Sequence, residues 1–289
     1  MPSLKEVRAR IASVTSTSKI TSAMKLVSAA KLRRAQDAIA SFLPYQEKLG
    51  EMLTNYVASS TEALSVPLAQ VRDVRRIAVV AVSSNSSLCG AFNSNVIKAA
   101  QKAIAQYSDL DKKDVLVYPV GKKMTAALAK AGYVAAKNFD DLVDSPDYDK
   151  TGALVDELIA LFCEKQVDRV LLIYNHFKNA AQQQVRTEQF LPVTASADTK
   201  APKLDYILEP DRNRVIQELV PRVVRLQLYG AILDSIAAEH GARTTAMQIA
   251  TDNAQDLIQE LTLKYNKARQ AAITNELIDI VSGSEGLKS

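Results

Sequence analysis

The first 56 residues carry mostly apolar side chains at alternating steps of three and four positions. This seven-residue repeat is typical of a helix that winds around a second helix. Its positions are Leu4, Val7, Ile11, Val14, Ser18 and Thr21, then Leu32, Ala35, Ile39, Phe42, Gln46, Leu49, Leu53 and Tyr56. The long step from Thr21 to Leu32 predicts a stutter that locally unwinds the supercoil. Pro2 and Ser3 suit a helix start, whereas Pro44 is expected to kink the helix.

The middle of the chain changes to short apolar runs separated by helix-like stretches. Ile77–Val82 is continuously apolar, as in a strand that is buried on both faces. Further strand candidates are Val115–Tyr118 and Val170–Tyr174, and helix-like stretches lie near 93–107, 121–131 and 151–165. This alternation predicts a mostly parallel sheet with helices on its faces. The alternating Val185–Leu191 predicts an edge strand that Pro192 stops, and 195–203 is typical of a surface loop.

Residues 221–281 predict one long helix, because no proline follows Pro221 and only two glycines interrupt the stretch. At about 1.5 Å per residue it would run roughly 90 Å, whereas a compact chain of this length is about 50 Å across. We therefore expect the helix to protrude. Small residues recur at roughly heptad spacing, which allows a second helix to approach closely. They are Ala237, Thr244, Ala254 and Ala268, among the larger Leu233, Met247, Ile258 and Leu261.

The predicted fold is α/β plus a long antiparallel coiled coil. The N- and C-terminal helices form the coil, and a Rossmann-like, mostly parallel sheet domain is inserted between them. The predicted domains are an N-terminal coiled-coil helix over 1–58, the inserted α/β domain over 72–205, and a C-terminal coiled-coil helix over 211–284.

Positive charge is concentrated at the start of the chain. Residues 1–34 contain eight Lys or Arg and one Glu, a net +7, whereas the whole chain carries +4. Such a start also suits a mitochondrial transit peptide, but a removable leader would not need a periodic pattern that continues to residue 56. The basic face is solvated, binds nucleic acid or an anionic membrane, or meets an acidic protein partner. No apolar run of about 18 residues occurs, so we expect no direct membrane insertion.

Candidate catalytic chemistry is sparse. No Gly-x-x-x-x-Gly-Lys-Ser/Thr or Gly-x-Gly-x-x-Gly segment follows a predicted strand, so we expect no nucleotide cofactor. Cys89 and Cys163 are too few for a disulfide scaffold or a four-cysteine zinc site, and we propose no metal. Cys89, between a strand and a helix, is a candidate nucleophile with His176 as a distant base, although packing is the commoner role there. His240 is interpreted as a solvated or coil-seam residue.

Two segments near the chain ends are more specific than these patterns. Lys19–Lys31 resembles the lysine-isoleucine-threonine-x-alanine-methionine signature of gamma subunits of F-type ATP synthases. The C-terminal signature of that family resembles Ala246–Met247, Ala250–Ala254, Leu263–Leu277 and Ile280–Gly283 nearly continuously. Leu88–Asn93 resembles a loop of the family, but Asn85-Ser86-Ser87 stands where an acid, a basic residue and a glycine are usual.

The resemblance implies a non-catalytic rotor shaft that couples proton flow through a membrane c-ring to ATP synthesis or hydrolysis at beta-subunit sites, and that regulates ATPase activity and proton flux. The coil would stand inside a ring of three alpha and three beta subunits. Its other end and the α/β domain would rest on the c-ring and bind the epsilon subunit. No cofactor and no nucleic acid are expected. We expect a peripheral protein on the cytoplasmic side of a bacterial inner membrane.

The resemblance also assigns contact residues. Arg269, Gln270, Thr274 and Glu276 would contact beta-subunit loops, unless they are ordinary exposed helix residues. Met24 and Lys25 would pass the acidic lever segments of the beta subunits. The apolar tip, which suits a hydrophobic bearing, comprises Ile273, Leu277, Ile278 and Ile280.

Two other classes of function predict different behaviour. An α/β enzyme that uses the Cys89 loop would have a small-molecule pocket and activity in the isolated chain. A coiled-coil adaptor or nucleic-acid binder would show steeply salt-dependent affinity for DNA or RNA.

Overall fold

The computed structural model describes residues 3–59, 67–108, 110–193 and 211–286, with the side chains of 56–59, 212–213 and 283–286 left out. Pro2, the Tyr56 side chain and the predicted 195–203 loop lie outside this description. The chain divides into two compact units. Unit 1 comprises Met1–Ser28 and Thr244–Ser289, and unit 2 comprises Ala29–Arg243.

The N-terminal helix α1 runs over Leu4–Ser59. A capping box starts it: Ser3 N–H donates to Glu6 Oε2 at 2.9 Å, and Glu6 N–H donates to Ser3 Oγ at 3.3 Å. The helix continues through Pro44, whose side chain is exposed. Each predicted heptad position from Leu4 to Leu53 is buried or half-buried, which confirms the repeat.

The predicted stutter is wrong. Lys25 is half-buried and Ser28 is buried, and together they divide the interval between Thr21 and Leu32 into ordinary heptad steps. The prediction assumed that no residue between Thr21 and Leu32 faces the second helix. A helix seam, however, also accommodates a small hydroxyl side chain and the aliphatic stem of a lysine.

Within the described residues, four strands form one mixed sheet in the order β2-β1-β3-β4. The strands are β1 (Ile77–Val82), β2 (Val115–Val120), β3 (Arg169–Asn179) and β4 (Gln182–Leu191). β1 pairs in parallel with both β2 and β3, whereas β4 pairs antiparallel with β3 at the edge. The mostly parallel sheet with an edge strand ending before Pro192 is thus confirmed.

Helices cover both faces of this sheet. One face packs against α2 (Phe92–Ala105) and α3 (Lys122–Lys130), which bury Val96, Met124 and Leu128. The other packs against the short α4 (Asp141–Asp144), α5 (Tyr148–Cys163) and the first part of the C-terminal helix α6 (Arg212–Gly286). Alternate side chains of β1 enter the two cores, which explains why the whole strand is apolar.

The C-terminal helix α6 runs over Arg212–Gly286 and continues through Pro221. In unit 2 it comes close to α1 at Gly230, where a Cβ would lie 2.9 Å from Gln46 Oε1 and 3.3 Å from Phe42 Cε1. The rings of Phe42 and Tyr229 meet edge to face, with centroids 5.2 Å apart. The predicted pairing of the terminal helices is therefore present in this unit.

The two helices also pair in unit 1. Thr21 Oγ1 lies 2.8 Å from Thr251 Oγ1, and Lys25 Nζ donates to Gln248 Oε1. Residue numbers rise along α1 as they fall along α6, so the pairing is antiparallel, as predicted. None of the described helices combines the length and apolarity that a bilayer span requires.

Candidate partner-binding surfaces

The end of α6 is exposed on every side. Ala272 is its last half-buried residue, and every described side chain from Ile273 to Ser282 is exposed. The register of Thr21 with Thr251 and Lys25 with Gln248 explains this pattern, because it brings the first turn of α1 opposite the region around Ala268. Beyond Ala272, α6 has no facing residue in the described part of α1.

The four predicted bearing residues lie together on this end. Ile273, Leu277, Ile278 and Ile280 are between 46% and 67% exposed, and the neighbouring Val281 extends the same surface. A cluster of large apolar side chains in water marks a surface that binds another molecule. The exposure of these side chains was predictable from the sequence, because a helix without a partner leaves its apolar side chains in contact with water.

The predicted polar contacts Arg269, Gln270, Thr274 and Glu276 are also exposed. Thr274 Oγ1 donates to the Gln270 carbonyl oxygen at 2.9 Å, a bond within the helix. Among the described residues, neither the Arg269 guanidinium nor the Glu276 carboxylate has an ion pair. Both charges are available to a partner.

Met24 and Lys25 lie at the seam of unit 1, where both are half-buried. Lys25 Nζ donates to Gln248 Oε1, and Gln248 Nε2 donates to Asp252 Oδ1 at 2.7 Å. An ammonium group has three donors, so Lys25 retains capacity for a further acceptor. The other basic residues of the first 34 are exposed: Lys5, Arg8, Arg10, Lys19, Lys31, Arg33 and Arg34.

A threonine pair in the same seam escaped the sequence prediction. Thr21 and Thr251 are buried, and Thr251 Oγ1 also donates to the Met247 carbonyl oxygen at 2.8 Å. Paired hydroxyls keep their hydrogen bonds while the two helix backbones approach closely. The heptad position of Thr21 was visible in the sequence, but its partner on α6 was not.

Unit 2 contains a buried charged cluster on α6. Glu239 Oε1 and Arg243 Nη1 are 2.7 Å apart, and Arg243 Nη2 donates to Ser86 Oγ at 2.7 Å. Of the two interpretations of His240, the solvated position is wrong, since His240 is buried, with Nδ1 3.3 Å from Arg243 Nη1. Burial lowers the pKa of His240 to about 4, helped by the charges of Arg243 and Lys31. Burial raises the pKa of Glu239, against the opposing effect of Arg243.

The candidate nucleophile Cys89 is a packing residue. It is buried in an apolar cluster with Phe92, Ala238 and Ala242, and its Sγ accepts a hydrogen bond from Asn93 Nδ2 at 3.1 Å. His176, the proposed base, is bound instead to Asp234, with Nδ1 and Oδ2 2.6 Å apart. The predicted pairing of the Cys89 thiol with the His176 base is therefore absent.

The departure at Asn85 has a local explanation. Asn85 Nδ2 donates to Asp144 Oδ2 at 2.7 Å and to the Asp140 carbonyl oxygen at 2.9 Å, while Asn85 Oδ1 accepts from Lys122 N–H at 2.9 Å. A carboxylate at position 85 would face Asp144 without a donor. The amide therefore suits the α4 segment of this chain. In the part of the chain that the structure describes, no group of His, Cys, Asp and Glu side chains could hold a metal ion.

Comparisons with known proteins match the whole length of the chain. A protein-family model described as ATP synthase matches residues 3–287. The ATP synthase gamma chain of Bacteroides fragilis is 51% identical over 289 residues, covering 98% of this chain and 99% of the relative. That of Flavobacterium psychrophilum is 47% identical, with both chains covered completely.

Solved structures agree with the fold. A rotor chain of the Euglena gracilis mitochondrial ATP synthase superposes with a TM-score of 0.66 at 17% identity, covering 93% of this chain and 98% of that one. A chain of the OSCP/F1/c-ring structure from the same organism gives a TM-score of 0.68 at 18% identity, covering 98% and 94%. With paired terminal helices, an intervening sheet domain and full-length relatives, the chain belongs to the ATP synthase gamma-chain family.

Proposed function

We propose that this chain is the central rotor shaft of a proton-translocating F-type ATP synthase and contacts the alpha and beta subunits through the exposed end of α6. A gamma chain is the non-catalytic rotor subunit of its complex, so the enzyme and nucleic-acid alternatives are set aside. The observation that carries the proposal is the exposed apolar end of α6, in a chain whose relatives are gamma chains over their full length.

The polar and apolar contacts have separate roles in this proposal. Arg269, Gln270, Thr274 and Glu276 bond to beta-subunit loops, whereas the apolar tip turns in a bearing formed by the alpha and beta subunits. Exposure of both sets supports this assignment. Lys25, which keeps free donors beside Gln248, meets the acidic lever segments of the beta subunits.

Rotation of the shaft is coupled to the beta-subunit sites because the shaft contacts each of them differently. Three chemically identical beta sites that meet different sides of one asymmetric rod are stabilised in different conformations. Reversing a conformational preference from 1:99 to 99:1 requires about 5.5 kcal/mol of differential contact energy. A few charge-assisted hydrogen bonds from Lys25 and Arg269 to only one of the three beta subunits would supply a free-energy difference of this order.

The remaining partners bind elsewhere. In this proposal the epsilon subunit and the c-ring contact the α/β domain and the neighbouring part of the coil, and regulation of ATPase activity and proton flux acts through these contacts. The chain is peripheral and lies on the cytoplasmic side of a bacterial inner membrane, where these partners hold it.

Reconstitution with alpha and beta subunits tests the proposal. The tagged chain is expected to co-purify both subunits as a complex that hydrolyses ATP. The double variant Ile273→Ser/Leu277→Ser is expected to lower the melting temperature of that complex without changing the unfolding of the isolated chain, because both side chains are already exposed there. Val134→Ser is the matched control, because it also replaces an exposed apolar side chain with serine but lies in the α/β domain. A chain that captures neither subunit contradicts the proposal.

A further inference from the structure

A cleft lined only by charged residues opens at the amino ends of the three parallel strands in unit 2. Its volume is about 610 Å³. Its walls come from the segment before β1, the residue before β2 and the turn before β3. The lining residues are Arg72, Asp73, Arg75, Arg76, Asp114, Lys165 and Asp168. Four cations and three carboxylates therefore share one opening.

Two of the three carboxylates already have partners. Asp168 Oδ2 accepts the backbone N–H of Arg75 at 2.9 Å and that of Arg76 at 3.1 Å. Asp114 Oδ1 accepts from Arg76 Nε at 3.2 Å. The bonds to Asp168 hold the backbone of Arg75 and Arg76 in place. The bond to Asp114 neutralises Arg76, one of the four cations. Among the described residues, no carboxylate pairs with Arg72, Arg75 or Lys165.

Arg72 carries the strongest signal for a missing ligand. Its guanidinium lies 4.3 Å from the centroid of the Phe162 ring, and Nη2 donates to the Phe162 carbonyl oxygen at 2.7 Å. Nε and Nη1 are buried and have no hydrogen-bond partner in the part of the chain that is described. Stacking on the ring covers the face of the guanidinium but does not satisfy the N–H groups in its plane. Native proteins rarely leave such donors without an acceptor.

Lys165 also lines the cleft, and the chain itself holds its backbone near Arg72, since both residues donate to the Phe162 carbonyl oxygen. Its backbone has a φ of 60°, in the left-handed region that residues other than glycine seldom adopt. The N–H of Lys165 donates to the Phe162 carbonyl oxygen at 3.2 Å, and that of Gln166 donates to the Leu161 carbonyl oxygen at 2.9 Å. The position of the lysine backbone is thus set by the end of α5.

We propose that this cleft binds an anion with a phosphate group, held by Arg72, Arg75 and Lys165. Guanidinium forks bind phosphate oxygens in bidentate fashion, and a lysine ammonium adds a compact charge. An acceptor of this kind would satisfy the orphaned donors of Arg72 after a small shift of that side chain. The phosphate group is either free in solution or part of an anionic lipid headgroup, since both offer the same oxygens.

Calorimetric titration of inorganic phosphate into the full chain, at constant ionic strength, tests the free form. We expect one saturable site per chain. Arg72→Lys keeps the charge but removes the fork, and Arg75→Ser removes an exposed cation. Each variant is expected to bind phosphate about tenfold more weakly, the equivalent of one lost charge-assisted bond. Lys102→Ser, at an exposed position of α2 outside the cleft, is the matched control and should bind as wild type does.

Sedimentation with vesicles tests the lipid source. Phosphatidylcholine vesicles containing phosphatidylglycerol are compared with vesicles of phosphatidylcholine alone. Binding to the anionic vesicles that Arg75→Ser loses and Lys102→Ser keeps, without saturable binding of free phosphate, would assign the site to a headgroup. The proposal is overturned when neither probe binds, or when Lys102→Ser weakens binding as much as Arg75→Ser does.

Discussion

Glycines in the long helices differ in what surrounds them. At Gly241 a Cβ would lie 2.8 Å from Phe177 Cε2 and 3.4 Å from Ala180 Cα, whereas Gly50 has no heavy atom within 4 Å. We expect Gly50→Ala to raise the free energy of unfolding by about 1 kcal/mol through helix propensity. Gly241→Ala should lower it by about 1–3 kcal/mol, because the ring and backbone must move. Urea unfolding measures both, and stabilisation by both variants would contradict the packing role of Gly241.

Asn85 allows a direct test of why this chain departs from the acid usual in its family. Asn85→Asp replaces the donor that reaches Asp144 Oδ2 with a second carboxylate. We expect a loss of about 1–3 kcal/mol in the free energy of unfolding at neutral pH. The double variant Asn85→Asp/Asp144→Asn restores a donor between the two positions and should recover most of it. Failure of the second change to rescue would show that the lost donation to the Asp140 carbonyl oxygen dominates, since an aspartate at position 85 still accepts from Lys122 N–H.

His240 makes stability depend on pH in a defined window. Its pKa in the folded chain is about 4, below the ordinary 6.5, so the unfolded chain binds the extra proton between these values. The stabilisation is therefore complete above about pH 6.5 and is lost as the pH falls towards 4. The groups that face His240 are Arg243, Lys31 and Asp144.

His240→Gln removes this titration. Between pH 7 and pH 4, the wild-type chain should lose up to about 3 kcal/mol more unfolding free energy than the variant. The raised pKa of Glu239 acts in the opposite direction, but it is present in both proteins and cancels in the difference. Parallel stability curves for the two proteins would contradict the assignment.

At the scale of elements, α1 contributes more than an apolar stripe. Its seam in unit 1 contains Thr21, Lys25 and Ser28, which are hydroxyl or charged residues at heptad positions. Polar seam positions specify register at some cost in stability. The same seam positions Lys25, so under the proposed function a change at this residue would alter partner contact without disrupting the helix pair.

Lys25→Glu should weaken coupling between ATP hydrolysis and proton pumping more than it weakens assembly of the complex. The new carboxylate would face acidic lever segments. The Gln248 amide can turn to donate to it in exchange for its exposed bond to Asp252, so the coil is retained. Protons pumped per ATP hydrolysed, compared with the yield of complex, measures the difference. Lys19→Glu, an exposed charge reversal on the same helix, is the control. Equal loss of coupling and assembly would count against the lever contact.

For the whole molecule, the two units differ in how much core each contains. Unit 2 has buried side chains on both faces of its sheet, whereas few of the described apolar side chains of unit 1 are buried, such as Val7, Met247 and Leu261. We expect the backbone amides of unit 1 to exchange hydrogen faster in the isolated chain than those of β1 and β3. Native-state hydrogen exchange with mass spectrometry measures this order. Equal protection of both units would contradict it.

The order of elements was readable from the sequence, because a heptad repeat and a uniformly apolar strand each leave a periodic trace. The domain bounds 1–58, 72–205 and 211–284 remain a prediction based on that order. The division into compact units falls instead within α1 and α6, near Ser28 and Arg243. Local periodicity carries no information about which stretches of a long helix share a core.

The sequence by itself determined the paired terminal helices, the mostly parallel sheet and the exposed apolar end of α6, since each follows from local patterns of side chains along one element. Only the tertiary structure decided which polar groups became partners: Thr21 with Thr251, Arg243 with Ser86, and Asn85 with Asp144. These pairs join positions far apart in the chain. A hydrogen bond requires the donor–acceptor distance to be correct to within a few tenths of an ångström, which spacing in sequence cannot specify.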